Sequence, residues 1–305
     1  MIGDGLIMVS VLCQTYNHEE YIGECLQSLI NQKVSFRYEI LIHDDASTDN
    51  TANIIRKFEK EYPDLIKPIY QQVNQWSLGN KVFSGIQLSR CTGKYVAMCE
   101  GDDYWIDTSK LQKQVDLLER HAEYSMCFHN AIERWSDRER EDRCFSHIVD
   151  REYSGLEIYK DWIIPTASVV FRKDILNSEH ADCFLNPHFL YGDIVLFLLA
   201  ADCGTIMGMK DVMSVYRRHK GGTVFEYNAK RIIKSLDHHK HIPLVFGMQY
   251  KVMSEELCIP LLVSLSFYYL KRNNYLYVMK YLINAFRLSF KNTLSCIGEK
   301  ANKRI

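Results

Sequence analysis

The chain has little of several things. Proline occurs only 6 times and glycine 15 times in 305 residues, which argues against long low-complexity or disordered stretches. Net charge is nearly absent: 37 Lys and Arg against 38 Asp and Glu give -1 at pH 7, so nothing global points to a nucleic-acid partner. The 10 cysteines form no C-x-x-C pair and no zinc-finger spacing. Several lie in apolar runs, such as Val9-Ser10-Val11-Leu12-Cys13, and read as reduced core residues of a cytoplasmic protein. No basic segment followed by an apolar one marks a signal peptide near the N-terminus. The longest uncharged apolar stretch, Leu257 to Leu270, has 14 residues with Pro260 and two serines inside it, whereas a membrane-spanning helix needs about 20. The expectation is a soluble or peripheral protein.

What is present is an alternation of periods. Ile7 to Cys13 is short and almost wholly apolar, as a strand buried on both faces should be. Asn17 then reads as a helix cap, with Glu20 closing a capping box. Tyr21, Ile22, Cys25, Leu26, Leu29 and Ile30 follow at helical spacing. Tyr38 to Ile42 is a second strand, and Leu65 to Tyr70, with Pro68 in it, is expected near an edge. Tyr95 to Cys99 is another strand. Strands alternating with helices over short connections specify a parallel sheet covered by helices. Ligands of such sheets sit beyond the carboxyl ends of the strands. The acidic turns at 43–50 and 100–103 both follow strands, so they should share one edge.

Four constellations then carry chemistry. In Glu100-Gly101-Asp102-Asp103, three carboxylates crowd one turn; a hard divalent cation would offset their repulsion, and an acidic surface turn or helix cap is the plain alternative. In His43-Asp44-Asp45-Ala46-Ser47-Thr48-Asp49, the last three residues suit turn and cap chemistry. Asp44 and Asp45 exceed what one cap requires and suit ligand contact. Asp193 opens the apolar run Ile194 to Ala201, either as an N-cap or as a partly desolvated general base. Tyr216-Arg217-Arg218-His219-Lys220-Gly221-Gly222 suits either a mobile loop closing on a diphosphate or an exposed basic loop. His219 can also ligate a metal.

Taken in order, these segments resemble the family 2 nucleotide-sugar glycosyltransferases of the GT-A fold. The residues that carry the resemblance are Val9 to Asn17, Tyr21-Ile22, Leu26-Gln27-Ser28-Leu29, Asp44-Asp45-Ala46-Ser47-Thr48-Asp49, and Gly93-Lys94-Tyr95-Val96 through Asp103. The resemblance implies an α/β, Rossmann-like, mostly parallel sheet flanked by helices. It implies that Thr15, Asp44 and Asp45 contact the base and ribose of the donor, and that Arg217 and His219 fall in the loop covering its phosphates. Asn74 to Gly85 matches the family poorly, and Lys81 is the one candidate donor contact there. It implies that Asp102 and Asp103, joined by His219, hold manganese or magnesium against the diphosphate, with Glu100 a weaker claimant. Asp193 matches the catalytic base of inverting members. Ala46 stands where the family usually has glycine, Glu100 where it commonly has aspartate, and Asp193 follows glycine where the family more commonly has glutamate.

The reading that follows is a sugar transfer from a nucleotide-diphosphate sugar, a UDP-sugar first, to a saccharide or lipid-linked saccharide acceptor in bacterial surface glycan synthesis. A catalytically silent nucleotide-sugar-binding module and a nucleotidyltransferase are the alternatives. Retention of Asp102, Asp103 and Asp193 speaks against the first, and Gln14 to Glu20, in place of a glycine-rich basic loop, against the second. Residues 1–225 are expected to form the catalytic domain, with donor binding in about 1–105 and the acceptor side and base in 106–225. Residues 226–305 are expected to form a helical extension. Its aromatic and basic residues, Tyr268 to Phe290 among Lys271, Arg272, Lys280 and Arg287, suit either peripheral contact with an anionic membrane or packing within the protein.

Overall fold

The computed structural model describes residues 6–136, 140–219 and 228–302. The chain divides into two compact units. One comprises Met1–Leu185 with Leu196–Lys220, and the other Asn186–Val195 with Gly221–Ile305.

The first unit is built on one sheet. Its strands are β1 (Ile7–Thr15), β2 (Arg37–Asp44), β3 (Ile66–Tyr70), β4 (Tyr95–Met98), β5 (Tyr104–Trp105), β6 (Tyr124–Trp135), β7 (Arg143–Cys144), β8 (Arg151–Tyr153), β9 (Val170–Arg172) and β10 (Thr205–Arg218). The main order is β3-β2-β1-β4-β9-β6-β10-β5, with β7 on β6 and β8 on β10. From β3 to β4 every pairing is parallel. β9 then runs antiparallel to both β4 and β6, while β6 and β10 are parallel again. The result is a mixed sheet, parallel from β3 to β4. β3, with its proline, is the edge strand.

Helices α1 (Ile22–Ile30), α2 (Thr51–Glu61), α3 (Lys110–Arg120) and α4 (Gly155–Asp161) belong to this unit, and α5 (Gly192–Cys203) begins in the second unit's short segment. α1 buries Ile22, Cys25, Leu26 and Leu29 against Val11, Ile40 and Tyr95 of the sheet core. Each such aliphatic side chain contributes about 1.5–3 kcal/mol. α1 starts at Ile22, not at Asn17, and Tyr21 at its cap position makes no side-chain bond. Asn17 has positive φ and accepts a hydrogen bond from Thr48 N at 2.8 Å instead. The capping box expected there does not form, because Asn17 and Glu19 are used to clasp the 47–50 turn.

β4 enters the sheet through a buried polar knot. Ser10 Oγ donates to Glu39 Oε1 at 2.7 Å, and Thr92 Oγ1 donates to the same oxygen at 2.6 Å. Gly93 N donates to Ser10 Oγ at 2.9 Å. A Cβ on Gly93 would stand 2.6 Å from Ser10 N and 2.8 Å from Val9 C, both strand backbone. Gly93→Ala is therefore expected to cost about 2–4 kcal/mol, read as a lower urea midpoint.

A lysine lies in the core. Lys110 is 0% exposed. Its Nζ donates to Gln114 Oε1 at 2.7 Å and sits 4.0 Å from the Trp105 ring centroid. Burial pushes its ammonium down from 10.5 to about 7. Between those values the unfolded chain binds more protons than the folded one, so this residue makes stability rise with pH across that window. Below pH 7 the penalty is present in full. Lys110→Met removes the effect. The wild-type-minus-variant difference in unfolding free energy should grow by about 2–4 kcal/mol from pH 7 to 10; a difference flat with pH would contradict the assignment.

Thr166–Ser168 forms a single helical turn leading into β9. Ala167 and Ser168 are 0% exposed, and their carbonyls accept from Trp105 Nε1 and Gln114 Nε2, each at 2.9 Å.

The second unit is helical. α6 (Ala229–Phe246), α7 (Lys251–Leu270), α8 (Tyr275–Leu288) and α9 (Phe290–Asn302) follow one another. Ile232 and Leu236 of α6, Ile259, Leu262 and Val263 of α7, and Tyr281 and Ala285 of α8 form its core. The sequence expectation that no stretch is long enough to span a membrane is corrected here. Met248–Leu270 runs 23 residues as a helical segment and is apolar enough by length and composition, because the helix extends well before Leu257. Part of that apolar surface serves the unit's own core. Tyr269, Tyr277 and Tyr281 stack between α7 and α8 at 4.8 to 5.7 Å, so these tyrosines form helix packing. Tyr275, Leu276 and Met279 are exposed.

Candidate active site

Strand register brings the two acidic turns together. Thr15 is the pairing partner of Asp44 at the ends of β1 and β2. Asp45 N donates to Thr15 O at 3.0 Å, and Gly101 N donates to Gln14 O at 2.8 Å. Both turns therefore lean on the last residues of β1, at one carboxyl edge. Gly101 allows this closeness: a Cβ there would be 2.7 Å from Thr15 Oγ1 and 3.1 Å from His18 Nδ1.

The end of β10 completes the rim. Arg217 N donates to Asp103 Oδ1 at 2.8 Å, and Arg217 Nη1 donates to Asp102 O at 2.6 Å. Its Nη2 pairs with Glu24 Oε2, and its guanidinium lies 4.3 Å from the Tyr104 ring centroid. The side chain is thus occupied inside the protein, only 8% exposed. Through these contacts it clamps the 102–103 turn. His219 Nε2 lies 3.0 Å from Asp102 Oδ2, and His18 Nε2 lies 3.8 Å from the same oxygen.

His18, Asp102 and His219 each place a donor atom within 4.8 Å of the others, and so do Glu100, Asp102 and Asp103. Asp102 thus belongs to both groups. Burial pushes its carboxyl up, but the hydrogen bond from His219 and the charges of His18 and His219 outweigh this and leave it below the ordinary value. Burial first, then the charges of Asp102 and Glu100, push Asp103 well above the carboxylate range. Burial holds His18 below 6.5 against the pull of Asp102, which favours the neutral imidazole that a metal ligand must be.

Four buried polar atoms of this rim lack a hydrogen-bond partner: Thr15 Oγ1, His18 Nδ1, Asp102 Oδ1 and Asp103 Oδ2. Each such group costs about 1–3 kcal/mol. One orphan is tolerable; four at one rim describe a cradle for something polar. Oxygen and imidazole donors around one carboxylate fit a divalent cation.

The 44–50 turn is braced rather than open. Ser47 N donates to Asp44 Oδ1 at 3.3 Å. Asp45 accepts Gln75 N at 2.7 Å and Trp76 N at 3.0 Å, so its carboxylate also organises the 74–80 loop. Ala46 adopts φ 62, the left-handed conformation that glycine takes without strain. Lys81 is exposed at the start of the helical turn Val82–Gln87. Asp193 stands half-buried in the first turn of α5; it lies in the second unit, whereas the acidic rim lies in the first. Lys220, Gly221 and Gly222 lie outside the described residues.

Sequence reasoning missed His18 as a candidate ligand and Glu24 as the partner of Arg217. His18 stands three residues beyond β1, at the same rim as the acids, and that position was the available signal. Glu24 offered none, because its partner is 193 residues away.

Comparison with known proteins agrees with this geometry. Residues 10–178, more than half of the chain, match the family described as Glycosyl transferase family 2. An uncharacterised protein of Mycobacterium tuberculosis strain H37Rv is 36% identical over 214 residues, 70% of this chain and 60% of that protein. The chain thus spans about 60% of the length of the curated relatives it matches first. A protein of Bacillus subtilis named as the teichuronic acid biosynthesis glycosyltransferase TuaG is 34% identical over 119 residues, 39% of this chain and 45% of that one. The structure of Staphylococcus aureus TarS (residues 1–349) in complex with UDP superposes with TM-score 0.58 at 18% identity, covering 82% of this chain and 70% of that one. At that identity the likeness speaks for the fold, which is that of the GT-A glycosyltransferases. With the family matched across β1 to β9 and the acidic edge in place, the chain belongs to glycosyl transferase family 2.

Proposed function

We propose that this chain transfers a sugar from a nucleoside-diphosphate sugar to an acceptor hydroxyl, with a divalent cation at the acidic rim. The single observation that carries the proposal is the cradle of four unpartnered buried polar atoms between Thr15 and Asp103. Asp102 and Asp103 would hold manganese or magnesium through oxygen, with Glu100 and His219 at the same rim. When bound, the cation supplies positive charge that stabilises a departing diphosphate.

The chain's own residues do the rest. Thr15 and Asp44, paired across β1 and β2, offer a hydroxyl and a carboxylate to the nucleoside. Asp45 shapes the loop beside them through two backbone amides. Arg217 fixes the 102–103 turn through the Asp102 carbonyl. Asp193 is proposed as the general base that takes the proton of the attacking acceptor hydroxyl. A single displacement with one base would invert the anomeric centre.

UDP in the TarS complex supports a uridine nucleotide as the first donor to test. The name of the TuaG relative supports a saccharide acceptor in surface glycan synthesis. Thiols buried in the core, such as Cys13, Cys25 and Cys99, suit a reducing compartment such as the cytoplasm.

The test is a panel of nucleotide sugars with manganese or magnesium, scoring release of the nucleoside diphosphate. It needs no acceptor. One donor should be hydrolysed slowly in a metal-dependent way. Release with no donor and either metal, while the chain is folded, would defeat the proposal.

A further inference from the structure

A second cluster of metal-ligating side chains lies in the helical unit. Asp237 and His241 stand one turn apart on α6, on one face, as i, i+4 residues do. His188 reaches them from the 186–195 segment, 49 residues earlier. Its Nδ1 lies 2.6 Å from Asp237 Oδ2, and His241 Nδ1 lies 3.4 Å from Asp237 Oδ1. One donor atom from each of the three lies within 4.8 Å of the others. The two imidazoles are stacked, 3.7 Å between centroids and 3° from parallel. His241 Nδ1 is also 2.8 Å from Asp237 O, one turn back.

We propose that His188, Asp237 and His241 form a second cation site, selective for a borderline transition metal of the zinc class. Two imidazoles and one carboxylate are the donor set that zinc and cobalt prefer, whereas magnesium prefers an all-oxygen shell. Bonds of about 2.0 Å in a tetrahedron put donor atoms about 3.3 Å apart. The observed separations of 2.6 and 3.4 Å run to the two oxygens of Asp237, and the rings are parallel. The two imidazoles must therefore tilt for their lone pairs to meet one ion. All three side chains are partly exposed, which leaves room for that. Three protein donors leave the fourth position to water. A hydrogen-bonded clasp needs only one histidine on the carboxylate; here both rings are brought side by side on it. A cation there ties the 186–195 segment to α6. Asp193 lies on that segment, five residues beyond His188, so the site would also steady the proposed base. That consequence rests on the proposed function, whereas metal binding itself does not.

The test uses the full chain carrying Asp102→Ala, so that the acidic rim does not compete. Cobalt(II) is titrated and read by its visible absorption and by equilibrium dialysis. One cobalt per chain is expected, with absorption typical of four-coordination. Adding His188→Ala or His241→Ala should weaken binding at least tenfold, and Asp237→Asn should do so as well. Circular dichroism checks that each variant is folded, which the partial exposure of all three side chains favours. Excess magnesium should not displace the cobalt. Absence of binding in the Asp102→Ala chain would overturn the site, as would equal affinity with and without His188; the three residues would then be a hydrogen-bonded clasp only. Neither result bears on donor hydrolysis, which the first unit's rim governs.

Discussion

Asp102→Asn is expected to lower metal-dependent donor turnover by about three orders of magnitude while leaving the chain folded. The side chain keeps its shape and loses its charge. Asp102 is shared by two ligand groups, one with His18 and His219 and one with Glu100 and Asp103. Its Oδ1 is buried without a hydrogen-bond partner, and its carboxyl stays below the ordinary value despite burial. An ionised carboxylate with an uncommitted oxygen is what a cation requires. A thousandfold loss corresponds to about 4 kcal/mol of transition-state stabilisation, within reach of one ligand. Stability should not follow activity. The substitution relieves a repulsion with Asp103 and loses the attraction of His219 and His18 that holds the Asp102 carboxyl below its ordinary value, so the urea midpoint should change little. Turnover within tenfold of the wild type would show that the cation does not depend on Asp102.

Arg217→Met is expected to cost about 2–4 kcal/mol of stability and about a hundredfold in turnover. The guanidinium ties Asp102 O, Glu24 and the Tyr104 ring into one brace. Methionine fills much of the volume and leaves the Asp102 carbonyl and the Glu24 carboxylate without their donor. Lysine should restore little, because a single ammonium cannot span two partners in the planar fork geometry. The kinetic signature separates a brace from a phosphate contact. A brace predicts that the metal concentration for half-maximal activity rises about tenfold. A direct phosphate contact predicts that the donor KM rises with metal dependence unchanged. The second pattern would return Arg217 to the role its place in a basic stretch first implied.

The parallel half of the sheet was legible because its signals are local. β1 and β4 are short runs buried on both faces, and the acidic turns follow strands directly. Parallel pairing then puts Asp44 and Asp102 at one edge without any further information. The second half was harder to read. β10 spans 14 residues, yet only Met213 to Tyr216 announced it, because its first part carries Gly208, Lys210 and Asp211 among the apolar residues. Asn17 misled for a physical reason: asparagine suits a helix cap and also the left-handed backbone, and the contact with Thr48 selected the second. Ala46 shows the converse. Its departure from the family's glycine was visible, but the turn does not do without the left-handed backbone: Ala46 takes φ 62 all the same. Glu24 and His18 gained their meaning only from residues near 217 and 219, and no local pattern encodes pairings of that length. The His188 and Asp237 pairing escaped in the same way.

Calorimetry of UDP binding, with and without manganese, tests the central claim most directly. If the two acidic turns share one cation-bound nucleotide, wild-type binding should strengthen at least tenfold with manganese. Asp102→Asn should abolish that gain, and Asp44→Asn should weaken binding with or without the metal. UDP affinity that ignores both manganese and Asp102 would contradict the account.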